Sequence, residues 1–380
     1  MTKGQKAMRI FLAPLLALAL LIAVGPSVHA YEIEEVAGGL EHPWSVAFLP
    51  DGGFLVTERP GRLRQVSASG EVSPPLEGVP QVFAQGQGGL FEVALAPDFA
   101  ETGALFISHA YGTDGENGTA LMRARLEGGR LVGGETVFRA TPKRGAHHFG
   151  GRLAFLDDGS LLLTLGDGFA YRENAQNRTD HLGAIVRLFP DGSAPSDNPF
   201  AGAFAGEEGA RPEIWTFGHR NVQAISVDQS TGRVWTAEHG PRGGDELDII
   251  EPGGNYGWPL VTDGVDYSGA RISPWGLERS ADFGLVPPVH VWTPSIAPAG
   301  MALYDGDAFP QWRGSLFIAA LAGKAVHRLI LDGAKVTGEE VLFSELDARI
   351  RDVRAGPDGL IYLLTDSPEG RILRLAPADR

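Results

Sequence analysis

The chain has 380 residues, 47 acidic against 32 basic side chains, a formal net charge of −15 and no cysteine. Such acidity argues against nucleic acid or an anionic membrane surface as a partner, and the absence of thiols excludes a cysteine nucleophile, a cysteine-held metal and disulfide staples. The fold has to be held by core burial, which a chain of this length can supply as one large domain.

Met1–Ala30 reads as a secretory signal peptide. It has Lys3, Lys6 and Arg9, then an apolar run from Ile10 to Val24, then the small-residue close Val28-His29-Ala30. The run is short for a membrane span of about 20 residues, and no later stretch is long and apolar enough to cross a bilayer. Its removal takes away three positive charges and no negative ones, so the net charge of −15 becomes −18. The mature chain, residues 31–380, is expected to be periplasmic or secreted.

One phrase then recurs: a short apolar run, a Pro/Asp/Gly turn and a second β-rich run. It occurs at Ser45–Arg59, Val93–Ala110, Arg152–Asp167, Ala224–Gly240, Gly300–Leu321 and Asp352–Asp366. Six copies in about 350 residues give a period of roughly 58, which points to a propeller or an array. Each copy reads as a β-hairpin whose Asp and Gly accept the turn angles. The expected fold is therefore all-β, a six-bladed β-propeller of four-stranded antiparallel blades, with long insertions at Tyr171–Arg211 and Leu260–Pro294. The second strands end in polar residues at nearly one phase, Thr57-Glu58-Arg59, Ser108-His109, Gly166-Asp167, Glu238-His239 and Thr365-Asp366, and such ends collect at one mouth of a propeller.

Candidate functional residues follow in chain order. Gln85-Gly86-Gln87-Gly88-Gly89 lets backbone approach a flat ligand closely. The pair His147-His148 precedes the third repeat and Asp167 ends it; a histidine oriented by a carboxylate is the usual general base. Adjacent strand residues face opposite ways, so at most one of the two histidines should face the mouth. Arg220 and Asn221 precede the fourth repeat, and Arg349 and Arg351 share one strand face before the sixth. Three arginines at blade entrances of an acidic protein form a receptor for a multiply charged anion. The stretch Ala237–Trp258 gathers Glu238, His239, Asp245, Glu246 and Asp248 around Gly240-Pro241 and Gly243-Gly244, oxygen donors and freed carbonyls that suit Ca²⁺.

Together QGGLFEVALAPDF, HHFGGRLAF, LGDG, FGHRNVQ, EHGP with GGDELDIIEPGGNYGWP, and IRDVRAGPDG resemble the soluble quinoprotein glucose/sorbosone dehydrogenase family, in particular its periplasmic aldose sugar dehydrogenase branch, from about Leu40 to Leu375. The resemblance implies pyrroloquinoline quinone (PQQ) with Ca²⁺ in a six-bladed propeller, an aldose substrate oxidised at its C1 hydroxyl to a lactone, and an external electron acceptor. It assigns His148 as the base supported by Asp167, and Gln87, Arg220, Asn221, His239, Arg349, Arg351 and Lys324 to the cofactor. It further assigns the carbonyls of Gly240 and Pro241 to the cofactor Ca²⁺, and Asp245, Glu246 and Tyr256 to a second, structural Ca²⁺. His239 stands where glucose-oxidising relatives carry Gln, Lys324 lies two residues beyond the family's lysine, and WTPSIAPA (Trp292–Ala299) matches a lid region. The alternatives are a non-catalytic glycan-binding propeller and a Ca²⁺-dependent lactonase.

Overall fold

The computed structural model describes residues 1–2, 31–202 and 209–378. The expected leader falls almost wholly outside them, as does part of the Tyr171–Arg211 insertion. Among the described residues no helix is long and apolar enough to cross a membrane.

Six antiparallel sheets form six blades, and each of the six recurring phrases is the inner hairpin of one blade. Blade 1 holds Pro43–Phe48, Phe54–Glu58 and Arg62–Val66, and blade 2 runs from Leu90–Leu95 to Arg130–Arg139. Blade 3 runs from Leu153–Phe155 to Ile214–Thr216, blade 4 from Val222–Asp228 to His290–Trp292, and blade 5 from Pro298–Leu303 to Lys335–Leu342. Blade 6 takes Ile350–Ala355, Ile361–Thr365 and Gly370–Pro377 from the end of the chain and its outer strand, Tyr31–Leu40, from the beginning. That pairing, Tyr31 opposite Pro377 and Leu40 opposite Gly370, closes the ring.

Five blades have the expected four strands, and blade 1 has three. Beyond Val66 the pairing survives as a bridge to Val72 and as two backbone hydrogen bonds, Ser73 N–H to the Gln65 carbonyl (2.8 Å) and Leu76 N–H to the Leu63 carbonyl (2.9 Å), without a regular strand. The next residues include Pro74 and Pro75, which have no N–H to donate and so cannot continue a strand.

Central strands such as Phe54–Glu58, Leu316–Ala320 and Ile361–Thr365 are buried along their whole length. Both of their faces pack against neighbouring blades, which is why they read as continuous apolar runs rather than alternating ones. Accordingly the core is divided into wedges, one per interface. Leu55 and Ile107 belong to one apolar cluster between blades 1 and 2, Phe106 and Leu163 to another between 2 and 3, and Ile185 and Ile225 to a third between 3 and 4. Trp235 packs with Ile318 between blades 4 and 5, Phe317 with Val353 between 5 and 6, and Leu364 with Val56 where the ring closes.

At the centre a single guanidinium reaches every blade. Arg152, 1 % exposed, enters the innermost strand of blade 3. It donates to the carbonyls of Gln223 (2.8 Å, blade 4), Ala299 (2.8 Å, blade 5) and Arg351 (3.1 Å, blade 6), and to the Glu92 carboxylate (2.9 Å, blade 2). Asp352 of blade 6 lies 3.1 Å away, and the plane stacks on Trp44 of blade 1 at 4.0 Å. Arg354 completes the cluster on Glu92 and Asp352. Two cations and two carboxylates thus neutralise each other out of water, the condition under which buried charge is tolerated.

Replacing Arg152 by Met leaves Glu92 and Asp352 with Arg354 alone, so one buried negative charge is uncompensated. The expected loss of unfolding free energy is about 3–5 kcal/mol, read as a shift of the urea midpoint.

Candidate active site

The loops leaving the inner strands do meet at one mouth. A cavity of about 360 Å³ there is walled by Gln87, Asn221 and His239 on one side and by Arg349, Arg351 and Asp366 on the other. Its floor is apolar: Trp44, above Arg152, together with Phe91 and Phe149. A second cleft, about 280 Å³, opens beside it, lined by Asp167, Phe169, Arg220, Pro241, Trp258 and Tyr267. His148 sits in the wall between them, since Phe149 and Gly150 line the first and Asp167 and Phe169 the second.

His148 is positioned by every bond it makes. His147 and His148 precede the inner strand of blade 3 rather than lying in it, and His148 has φ +50°. Strand alternation therefore does not separate them; the left-handed turn buries His148 and leaves His147 exposed against Phe169. The His148 N–H donates to Gln87 Oε1 at 2.8 Å, and Gln87 N–H donates to the Ala146 carbonyl at 2.8 Å. Gln87 thus clamps the histidine turn at two points. Across the turn, Gly166 packs so closely that a Cβ would lie 2.4 Å from the His148 carbonyl oxygen, so the glycine of LGDG is a packing requirement.

The ring of His148 bonds Asp167 through Nδ1 at 2.6 Å. Asp167 also accepts the Phe169 N–H (2.7 Å, Oδ1) and the Trp258 indole N–H (2.8 Å, Oδ2). A carboxylate so occupied fixes the imidazole with its proton on Nδ1, leaving the Nε2 lone pair free as a proton acceptor. Burial lowers the His148 pKa and Arg220 lowers it further, against the upward pull of Asp167. The ring is consequently a free base at neutral pH.

Glu238, grouped in the sequence with the oxygen donors of the Ala237–Trp258 stretch, organises the next two. Its carboxylate accepts His219 Nδ1 (2.8 Å), Arg220 N–H (2.5 Å) and Asn221 N–H (3.2 Å). Arg220 then stacks over Trp258 and donates to the carbonyls of His239 (2.9 Å) and Gly240 (2.7 Å). His239 contacts the Pro298 carbonyl through Nε2 at 2.7 Å, and burial lowers its pKa to about 3. It is neutral, with Nε2–H donating and Nδ1 left as an acceptor.

Arg349 and Arg351 share Asp366, at 3.6 and 3.0 Å. Although burial opposes ionisation, Arg351 with His42 and Arg349 holds the Asp366 pKa at about 2. His42, which also lines the cavity, was missed in the sequence. It occupies the same blade-entrance phase that singled out Arg220 and Arg349, so that argument, applied to blade 1, would have found it.

Two sequence assignments are corrected. Lys324 does not line the cavity: its ammonium pairs with Asp347 at 2.7 Å on an exposed turn, and Leu321 and Ala297 form that wall. Asp245 lies on the opposite strand face from Glu246, and its carboxylate is saturated by Gly240 N–H, Ser295 Oγ, Ile296 N–H and Ala297 N–H. It pins the WTPSIAPA segment rather than facing the acidic side. The partner of Glu246 on its own face is Asp248, by the two-residue period of a strand. Both are buried, neither Asp248 oxygen has a hydrogen-bond partner among the described residues, and Thr236 opposite is equally bare. The Tyr256 hydroxyl is occupied by Glu251 N–H and the Ile249 carbonyl. Among the described residues no three His, Asp or Glu side chains form a ready metal cage.

Burial, and repulsion among Glu246, Asp248 and Glu238, push the Glu246 and Asp248 pKa values well above the carboxylate range. A raised folded pKa means stability falls as pH rises from the unfolded value toward the folded one. In chelator at pH 7, Asp248→Asn is therefore expected to raise the calorimetric melting temperature by about 2–6 °C and to flatten its decline with pH.

The chain matches the family described as Glucose / Sorbosone dehydrogenase over residues 40–374. It is 44 % identical to aldose sugar dehydrogenase YliI of Escherichia coli, over 97 % of this chain and 98 % of that one. The apo crystal structure of the Escherichia coli aldose sugar dehydrogenase superposes with a TM-score of 0.86 at 44 % identity, covering 91 % of this chain and 99 % of that one. The PQQ-bound aldose sugar dehydrogenase of Streptomyces coelicolor gives 0.71 at 28 % identity, over 91 % and 98 %. By sequence and by fold, the chain belongs to the glucose/sorbosone dehydrogenase family.

Proposed function

We infer that the chain is a quinoprotein oxidoreductase that oxidises the C1 hydroxyl of aldose sugars to lactones and passes the electrons to an external acceptor. The observation that carries this reading is the free-base His148, oriented by Asp167, standing between an arginine-walled cavity and an open cleft. The cavity fits PQQ, a flat tricarboxylate: Arg59, Arg349 and Arg351 face one carboxylate, Asp366, above an aromatic floor. When bound, the quinone supplies a two-electron acceptor for the hydride leaving the sugar C1.

The chain's own residues supply the remainder. His148 Nε2 takes the proton of the C1 hydroxyl, and Asp167, already hydrogen-bonded to Nδ1, stabilises the imidazolium that forms. Trp258 and the Phe169 N–H prevent Asp167 from rotating away. Gln87, Asn221 and His239 present polar groups to the cofactor's edge, and Arg349 and Arg351 bind its carboxylates.

Two calcium positions are part of the proposal. The carbonyls of Gly240 and Pro241 would hold Ca²⁺ beside the quinone, where a hard cation polarises a carbonyl. The Gly240 oxygen also receives Arg220, and a carbonyl has lone pairs for both. Glu246 would hold a second ion with Asp248, whose unpartnered oxygens suit a cation, and with the Tyr256 carbonyl. The lysine expected at the cofactor is not replaced by Lys324. Export by the Met1–Ala30 leader would place the enzyme in the periplasm or outside the cell. A glycan-binding module or a lactonase needs no arginine-walled anion cavity, and neither reading is favoured.

Reconstituted with PQQ and Ca²⁺, the protein is expected to reduce an artificial dye with aldoses, and His148→Ala is expected to lower the rate by about 10²–10⁴. Because the base works in its neutral form and burial lowers its pKa, kcat/KM should stay level down to pH values below the ordinary imidazole range of about 6.5 and fall only beneath it.

A further inference from the structure

Lys143 is a cation that the proposed chemistry does not use, and it is the one buried lysine among the described residues, 6 % exposed. Its backbone is tied to blade 2, since its N–H and carbonyl exchange bonds with Asn117 at 2.7 and 2.9 Å. Its ammonium is spent on neutral groups. It donates to Asn117 Oδ1 (3.0 Å) and to the Gly145 carbonyl (2.9 Å), and it stands 3.9 Å from the centre of the Phe149 ring. An ammonium buried on neutral partners alone is unfavourable, so its charge and its reach, rather than its volume, need a reason.

The contacts supply one, because they fall on both halves of the His148–Asp167 pair. Gly145 precedes the His147-His148 turn and Phe149 follows it. The stem of Lys143 meets the other half: Gly168, at φ +71°, runs so close that a Cβ there would lie 2.4 Å from Lys143 Cδ. Gly168 links Asp167 to Phe169, whose N–H donates to the Asp167 carboxylate. One side chain therefore spans the loop that carries the base and the loop that carries its carboxylate. Burial lowers the Lys143 pKa to about 8, and the negative charge of Asp167 draws it upward. The other ionisable groups nearby are engaged elsewhere: Arg144 N–H donates to the Tyr171 hydroxyl at 3.3 Å, His148 bonds Asp167, and Arg220 donates to the carbonyls of His239 and Gly240.

We propose that Lys143 is a positioning residue for the reaction, its ammonium and stem holding the His148 turn against the Asp167 turn so that the Nδ1–Asp167 bond keeps Nε2 aimed at the sugar hydroxyl. This rests on the reading of His148 as the base.

The test is Lys143→Met, which keeps the stem and removes the charge, with the urea midpoint showing that the variant folds. In the cofactor-free protein the His148 Nδ1 proton is expected at low field in the NMR spectrum, in slow exchange with water, and is assigned by its loss in His148→Gln. Lys143→Met should move that signal to higher field and speed its exchange. After reconstitution, kcat of Lys143→Met with an aldose should fall about 10–100-fold, with KM held within about threefold. A signal unmoved in the folded variant, an unchanged kcat, or a loss carried by KM alone would overturn the proposal. Should Lys143→Met not fold, Asp167→Asn decides. Removing the nearby negative charge should drop the Lys143 midpoint, followed by carbon NMR of isotope-labelled lysine, below its value of about 8, and an unchanged midpoint would likewise sink the idea. If the wild type oxidises no aldose, the reading of His148 as the base goes, while the cofactor-free signal still decides whether Lys143 orders the pair.

Discussion

The six blades are gathered on one side chain. Arg152 reaches the innermost strand of each, and every one of those contacts crosses a blade boundary, so the guanidinium can be satisfied only when the ring is closed. The cost of burying it is offset by Glu92 and Asp352, with Arg354 balancing the second negative charge. The site inherits its rigidity from this cluster. Trp44, stacked on Arg152, is cavity floor, and the carbonyl that Arg152 holds in blade 6 belongs to Arg351, which lines the same cavity.

Above that floor the molecule uses histidine–aspartate pairs twice, in different surroundings. His148 is enclosed, and its carboxylate is crowded by an indole and a backbone N–H, which gives a rigid, neutral proton acceptor. His42 is partly open to water, and its carboxylate is shared with two arginines.

Much of the architecture was legible in the sequence because a propeller repeats itself: the six Asp/Gly hairpins are local, and each falls on the inner strands of one blade. The polar strand ends gave the mouth for the same reason. What escaped was non-local or depended on backbone detail. No spacing rule links residues 44, 92, 152, 223, 299 and 352, which meet only after the ring closes. The family resemblance grouped Asp245 with Glu246, whereas strand alternation sends them to opposite faces and puts Asp248 beside Glu246. Blade 1 lacks its fourth strand because Pro74 and Pro75 lie where it would continue. His147 and His148 diverge through a left-handed turn that composition does not reveal, and Lys324 sits three residues past the last side chain of its turn that reaches the cavity.

The central claim is that the arginine wall grips a multiply charged planar anion. It is tested most directly by the affinity and stoichiometry of PQQ binding to the wild type, Arg349→Gln and Arg351→Gln in the presence of Ca²⁺. The account predicts one quinone per chain and a loss of about 10–150-fold in affinity for each arginine removed, the range of a hydrogen bond to a charged group. Wild-type affinity retained in both variants would contradict it.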